Sequence, residues 1–195
     1  MKKIRNTKQI RSIQTELKTR AEGGGPEKYI EGYFAVFNKE VELWPGAYEE
    51  IAPTAFDGAL LDDVRGLINH DTTLVLGRTK AKTLEFRVDN IGLWGRIKIN
   101  PNDSDAVNLY ERVARGDVDQ CSFGFDILKE ETDWRDDGTV KWTIQEVKLY
   151  EVSPCTFPAY EQTGIQARKA QVDEHRERLF EARKLKLKER LKGIC

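Results

Sequence analysis

Gln120-Cys121-Ser122-Phe123-Gly124-Phe125-Asp126 is the stretch on which the fold turns. Successive side chains of a strand point to opposite faces. Cys121, Phe123, Phe125 and the following Ile127 then share one apolar face, and Gln120, Ser122, Gly124 and Asp126 share the other. This alternation predicts a half-buried strand over Asp119 to Leu128. It also sets Ser122 on the non-core face of a rigid element, with Gly124 leaving room beside it. A serine so placed is fixed, open to substrate and uncrowded, as a nucleophile requires.

Working outward, Asp136-Asp137-Gly138 reads as a hairpin turn leading into a second strand, Lys141 to Val152. Upstream, Tyr29 to Val36 alternates in the same way. Further strands are expected at Tyr48 to Ile51, Val64 to Asn69, Leu74 to Gly77, Thr83 to Val88 and Leu93 to Ile99. Pro53-Thr54 opens a predicted helix through Leu61. Asp103 or Ser104 caps another that runs to Arg115 and stops at Gly116. Its apolar residues are Ala106, Val107, Tyr110, Val113 and Ala114. The sum is about seven or eight strands and two core helices, a β-rich α+β domain.

The bulk numbers bound the rest. The chain has 195 residues, of which 39% are hydrophobic and 33% charged, so part of it lies outside any core. The net charge of −1 conceals an asymmetry. Residues 1–20 and 168–195 are both strongly basic, and the stretch between them is acidic. Glu22-Gly23-Gly24-Gly25-Pro26 is a break. Three parts are therefore expected: a basic leader and Gly-rich linker at 1–26, a folded domain at 27–167, and a charged helical tail at 168–195. No apolar run is long enough for a membrane span, and none follows Met1-Lys2-Lys3 as a secretory signal would. Three cysteines without CxxC spacing and two histidines argue against a disulfide framework or a metal site. Walker, HExxH, G-x-S-x-G and dinucleotide motifs are absent, and no cofactor is expected.

A serine hydroxyl needs a base, and histidine is the usual one near neutral pH. His175 lies in the charged tail, so the base candidate is His70, in Leu67-Ile68-Asn69-His70-Asp71. A base in turn needs an orienting partner. Glu151 ends a strand expected to pair near the Ser122 strand, and Glu146 and Asp71 are alternatives. Cys121 is a rival nucleophile, but alternation puts it on the buried face.

The ordered segments resemble the prohead proteases of tailed phages over residues 28–162. They are Gly32-Tyr33-Phe34-Ala35-Val36-Phe37-Asn38, Glu50 to Phe56, Leu67 to Asp71, Leu76-Gly77-Arg78, Gly92-Leu93-Trp94, Val113 to Phe125, and Leu149 to Ser153 with Thr156-Phe157-Pro158-Ala159. The resemblance implies an assemblin-like closed β-barrel of about seven strands with flanking helices. It implies Ser122 as nucleophile, His70 as base and Glu151 as third member, where assemblins carry a second histidine. It further implies a serine endopeptidase packaged in the immature capsid in the host cytoplasm. Such an enzyme cuts the scaffold or the major capsid protein, and itself, and is a candidate homodimer. No membrane and no specific nucleic acid is implied as a partner. A capsid assembly protein with a relic site is the other reading.

Overall fold

In a computed structural model, residues 8–14, 17–21, 27–157 and 162–192 are described. The chain divides into two compact units, Met1–Tyr160 and Glu161–Cys195. Within the first, the strands are β1 (Gln9–Gln14), β2 (Lys18–Ala21), β3 (Lys28–Val36), β4 (Val41–Trp44), β5 (Ala47–Ile51), β6 (Arg65–Ile68), β7 (Asp71–Arg78), β8 (Leu84–Val88), β9 (Gly92–Lys98), β10 (Gln120–Trp134) and β11 (Val140–Cys155). Helix α1 spans Ser104–Arg115. The second unit contains helix α2, Gln162–Lys192, which carries the exposed apolar side chains Leu179, Phe180, Leu185 and Leu187. No described helix is long and apolar enough to cross a membrane.

The strands form two sheets. One has seven strands in the order β1-β10-β11-β5-β4, with β6 pairing β11 and β7 pairing β6. The other has four, in the order β2-β3-β9-β8. The hydrophobic core draws on both. Phe123 stacks on Phe125 at 4.8 Å and meets Phe56 edge-on at 5.7 Å. Phe34, Ile30, Leu93 and Ile97 of the four-stranded sheet are fully buried in the same core.

The closed barrel expected from the resemblance does not form: among the described residues, neither sheet closes. One edge of β11 is shared by two short parallel strands. β5 pairs with it at Val140 to Ile144 and β6 at Glu151 and Val152. No single strand runs the length of that edge to carry the ladder round. β3, β8 and β9 pair among themselves and with β2.

The seven-stranded sheet is nonetheless sharply curled. Arg11 on β1 faces Phe123, and Glu49 on β5 faces Trp142, which faces Thr132. Along a flat β10, Phe123 and Thr132 would lie roughly 30 Å apart. Yet Arg11 Nη2 bonds Glu49 Oε2 at 3.0 Å. The register shifts of the β10–β11 ladder at Gly124/Phe125, Ile127/Lys129 and Lys129/Glu130 supply the bend. At the far end of the hairpin Gly138, with φ +86°, takes the left-handed turn position that a Cβ disfavours.

Helix α1 follows its sequence signals. The Asp103 carboxylate accepts from the N–H groups of Asp105 and Ala106, and Gly116 ends the helix in the left-handed region. It buries Ala106, Leu109, Tyr110 and Val113, whereas Ala114 is exposed. The helix expected from Pro53 is reduced to turns and a single 3-10 turn at Ala59–Leu61. Most of its N–H groups bond three residues back, as from Ala55 to Ala52 and from Asp57 to Thr54, and only Leu60 reaches four back, to Phe56. Gly58 sits mid-segment, where a helix tolerates glycine poorly, and Leu61 points to solvent.

Two substitutions separate core from cap. Phe123→Ala is expected to cost about 3–5 kcal/mol in urea unfolding. Asp103→Ala, which removes only a cap, is expected to cost about 1 kcal/mol.

Candidate active site

His70 sits on the two-residue turn between β6 and β7, flanked by the Ile68–Asp71 pair. Asn69 and His70 have φ of 48° and 64°. Two consecutive positive φ values make the tight hairpin turn whose twist matches its strands. Asn tolerates this region well, and His better than most residues. The turn is tied to β11: Asn69 N–H donates to Pro154 O at 3.1 Å, and Thr156 N–H donates to Asn69 Oδ1 at 3.0 Å. Such ties hold the imidazole against the end of β11.

There the ring meets Glu151. His70 Nδ1 and Glu151 Oε1 are 2.8 Å apart. Ser153 Oγ donates to the other oxygen, Oε2, at 2.7 Å and accepts the His70 backbone N–H at 3.2 Å. Lys8 Nζ lies 3.4 Å from Oε1. Glu151 is only 3% exposed. Burial alone would raise its carboxyl pKa. The His70 hydrogen bond and charge, the Ser153 hydroxyl and the Lys8 ammonium outweigh burial and hold it below the ordinary glutamate value. An ionised carboxylate has no proton to give, so the proton in this bond belongs to Nδ1. In neutral His70 that leaves Nε2 as the acceptor.

Ser122 stands on the same face. β10 and β11 pair Gln120 with Cys155, Ser122 with Ser153, and Gly124 with Glu151. Directly opposed side chains lie about 5 Å apart. A Cβ on Gly124 would collide with Glu151 Oε1 and Lys8 Cε, so the room left by this glycine is already occupied. The apolar face of β10 is as expected: Cys121, Phe123, Phe125 and Ile127 are buried. The expected openness of Ser122 is not found. It is 0% exposed, because β1 lies antiparallel along β10 with Ser12 opposite Ser122. Ser122 Oγ donates to Arg11 O at 2.9 Å. Among the described residues it makes no hydrogen bond to His70.

His70 Nε2 instead faces Cys155 Sγ at 3.7 Å. Burial and the Glu151 charge push the Cys155 thiol up to about 12, so it stays protonated and is a poor nucleophile. Cys121 is fully buried on the apolar face. Of the other third-member candidates, Asp71 caps its own turn through the Thr73 N–H at 2.8 Å. Glu146 is exposed and pairs in the ladder with Lys129. Neither is bonded to His70. Sequence reading missed Ser153 and Cys155, although both lie at two-residue steps from Glu151 and so share its face of the strand. It also missed Lys8 and Arg11, which carry no pattern of their own.

The profile of the caudovirus prohead serine protease family matches residues 15–178. The chain is 34% identical over 161 residues to the prohead protease of Enterobacteria phage HK97, a match covering 80% of this chain and 66% of that protein. A looser likeness links it to the solved capsid assembly protease of bacteriophage T4. There the TM-score is 0.46 and the identity 14%, over 77% of this chain and 99% of the other.

The lowered Glu151 pKa has a sign that can be tested. Its stabilising contribution is complete above the unfolded value of about 4.3 and is lost as pH falls through the lower folded value. Wild type should therefore lose more stability than Glu151→Gln between pH 6 and pH 3, read as urea midpoints. Parallel losses would remove Glu151 as the source.

Proposed function

The chain belongs to the caudovirus prohead serine protease family, and on that premise we propose that Ser122, His70 and Glu151 form the catalytic set of a serine endopeptidase. Its substrates are the major capsid protein, the scaffold segment joined to it, and the chain itself. It works inside the immature capsid. One observation carries the assignment: the 2.8 Å bond from His70 Nδ1 to the buried Glu151 carboxylate, on the sheet face that also bears Ser122.

Catalysis follows from that arrangement. Glu151 fixes the tautomer and stabilises the imidazolium that forms. His70 Nε2 accepts the Ser122 proton as Oγ attacks the peptide carbonyl, then returns it to the leaving amine. Water repeats the cycle on the acyl-enzyme. In the resting molecule the Ser122 hydroxyl donates a hydrogen bond to Arg11 O, and attack requires that bond to be exchanged for one to His70. The basic tail from Arg168 to Lys192, carried by helix α2, is the segment proposed to hold the enzyme on scaffold. Residues 27–167 are the catalytic domain, and a homodimer is the proposed working form.

Co-expression with the major capsid protein of the same phage, followed by intact mass, tests the assignment. Wild type should cut the capsid protein. Ser122→Ala and His70→Ala should each slow cutting by roughly a thousandfold or more. If all three leave the capsid protein whole but co-assemble with it, the chain is an assembly protein instead.

A further inference from the structure

Strand β1 is an edge strand whose placement depends on two buried contacts. The first is backbone: its ladder with β10 runs from Gln9 opposite Phe125 to Gln14 opposite Gln120, and it sets the Arg11 carbonyl 2.9 Å from Ser122 Oγ. The second is a charge pair. The Arg11 guanidinium grips both Glu49 oxygens and lies 5.9 Å from the Phe125 ring centroid. Arg11 is 6% exposed and Glu49 5%. A carboxylate buried that deeply on β5 requires a cation to balance it. The cation arrives on the residue whose carbonyl touches the nucleophile.

We infer that β1 occupies the substrate's place: substrates add to β10 as an antiparallel strand, and Glu49 selects arginine or lysine as the residue that is acylated. This rests on the reading of Ser122 as nucleophile. Strand addition to a sheet edge supplies affinity through main-chain bonds and specificity through side-chain pockets. By that geometry the Arg11–Ser12 bond is itself a substrate. Ser122 Oγ bonds to the Arg11 carbonyl carbon, the bond from that carbon to Ser12 N breaks, and the Oγ proton passes through His70 to the Ser12 nitrogen. Water then hydrolyses the ester. It leaves a carboxylate on Arg11, restores Ser122 and frees the edge of β10 from Phe123 to Phe125.

The test uses the full chain and a set of otherwise identical fluorogenic peptides carrying arginine, lysine, citrulline, norleucine or glutamate at the acylated position. Citrulline has the shape of arginine without its charge. Wild type should prefer arginine over citrulline by on the order of 100-fold in kcat/KM. Glu49→Gln should bring that ratio close to one, and a ratio does not depend on how much of the variant folds. Incubated wild type should also release residues 1–11, seen by intact mass, and Ser122→Ala should not. Ser122-dependent cutting with no preference for charge, or with a preference that survives Glu49→Gln, overturns the inference and leaves the protease reading standing. If Ser122 is needed for no cleavage of peptides or capsid protein, both fall together.

Discussion

The ladder between β10 and β11 is the constraint on which the first unit depends. Among the described residues it is the longest pairing, and three irregularities bend it. Its straight end sets Ser122 beside Ser153 and Gly124 beside Glu151. Its curled end brings β5 round until Glu49 meets Arg11. One hairpin thus supplies the floor of the proposed catalytic face and closes a charge pair across the curl. The four-stranded sheet covers the opposite, apolar face, where Phe123 and Phe125 lie with Phe34 and Ile30 in one core.

Buried charge is the second organising force. Glu151 and Glu49 are both nearly inaccessible, and each is held by a different device. Glu151 is surrounded by an imidazole, a hydroxyl and a half-exposed lysine, groups that together offset its desolvation. Glu49 is met by a guanidinium, whose planar fork suits a carboxylate better than a point charge does. Removing either partner would leave an uncompensated charge in a dry environment, which is costly. Both pairs involve the β1 region, through Lys8 and Arg11. The first strand is therefore coupled to the site electrostatically as well as through its ladder.

Much of this was legible in the sequence where a local rule governs. The alternation from Cys121 to Ile127 gave the buried face of β10, and Asp103 and Gly116 bounded α1, because side-chain period and end-capping act over a few residues. His70 and Glu151, chosen for their chemistry and order, are hydrogen-bonded to one another. What could not be read depends on distant pairing. Residues 1–20 show no apolar period, since β1 is ordered by the β10 ladder and by Arg11 rather than by an apolar stripe. Ser122 was therefore expected to be open when it is covered. The barrel failed for a related reason: alternation tells which residues face inward, but not that two short strands would divide one edge of β11. The helix expected after Pro53 gave way to turns because buried Ala55, Phe56 and Ala59 fit a compact loop and Gly58 weakens a helix there.

Covering Ser122, the proposed nucleophile, with a strand of the same chain has a kinetic consequence. A tethered strand competes at an effective concentration fixed by its connection, on the order of millimolar for short linkers. Dilution does not weaken it. A free peptide displaces it only by binding much more tightly or by being present at comparable density. On the proposed function the molecule is filtered by crowding: indifferent to stray chains in dilute solution, and responsive where many potential substrates are confined in a small volume. In the proposed self-cleavage the released segment up to Arg11 becomes an ordinary solute, and that threshold disappears.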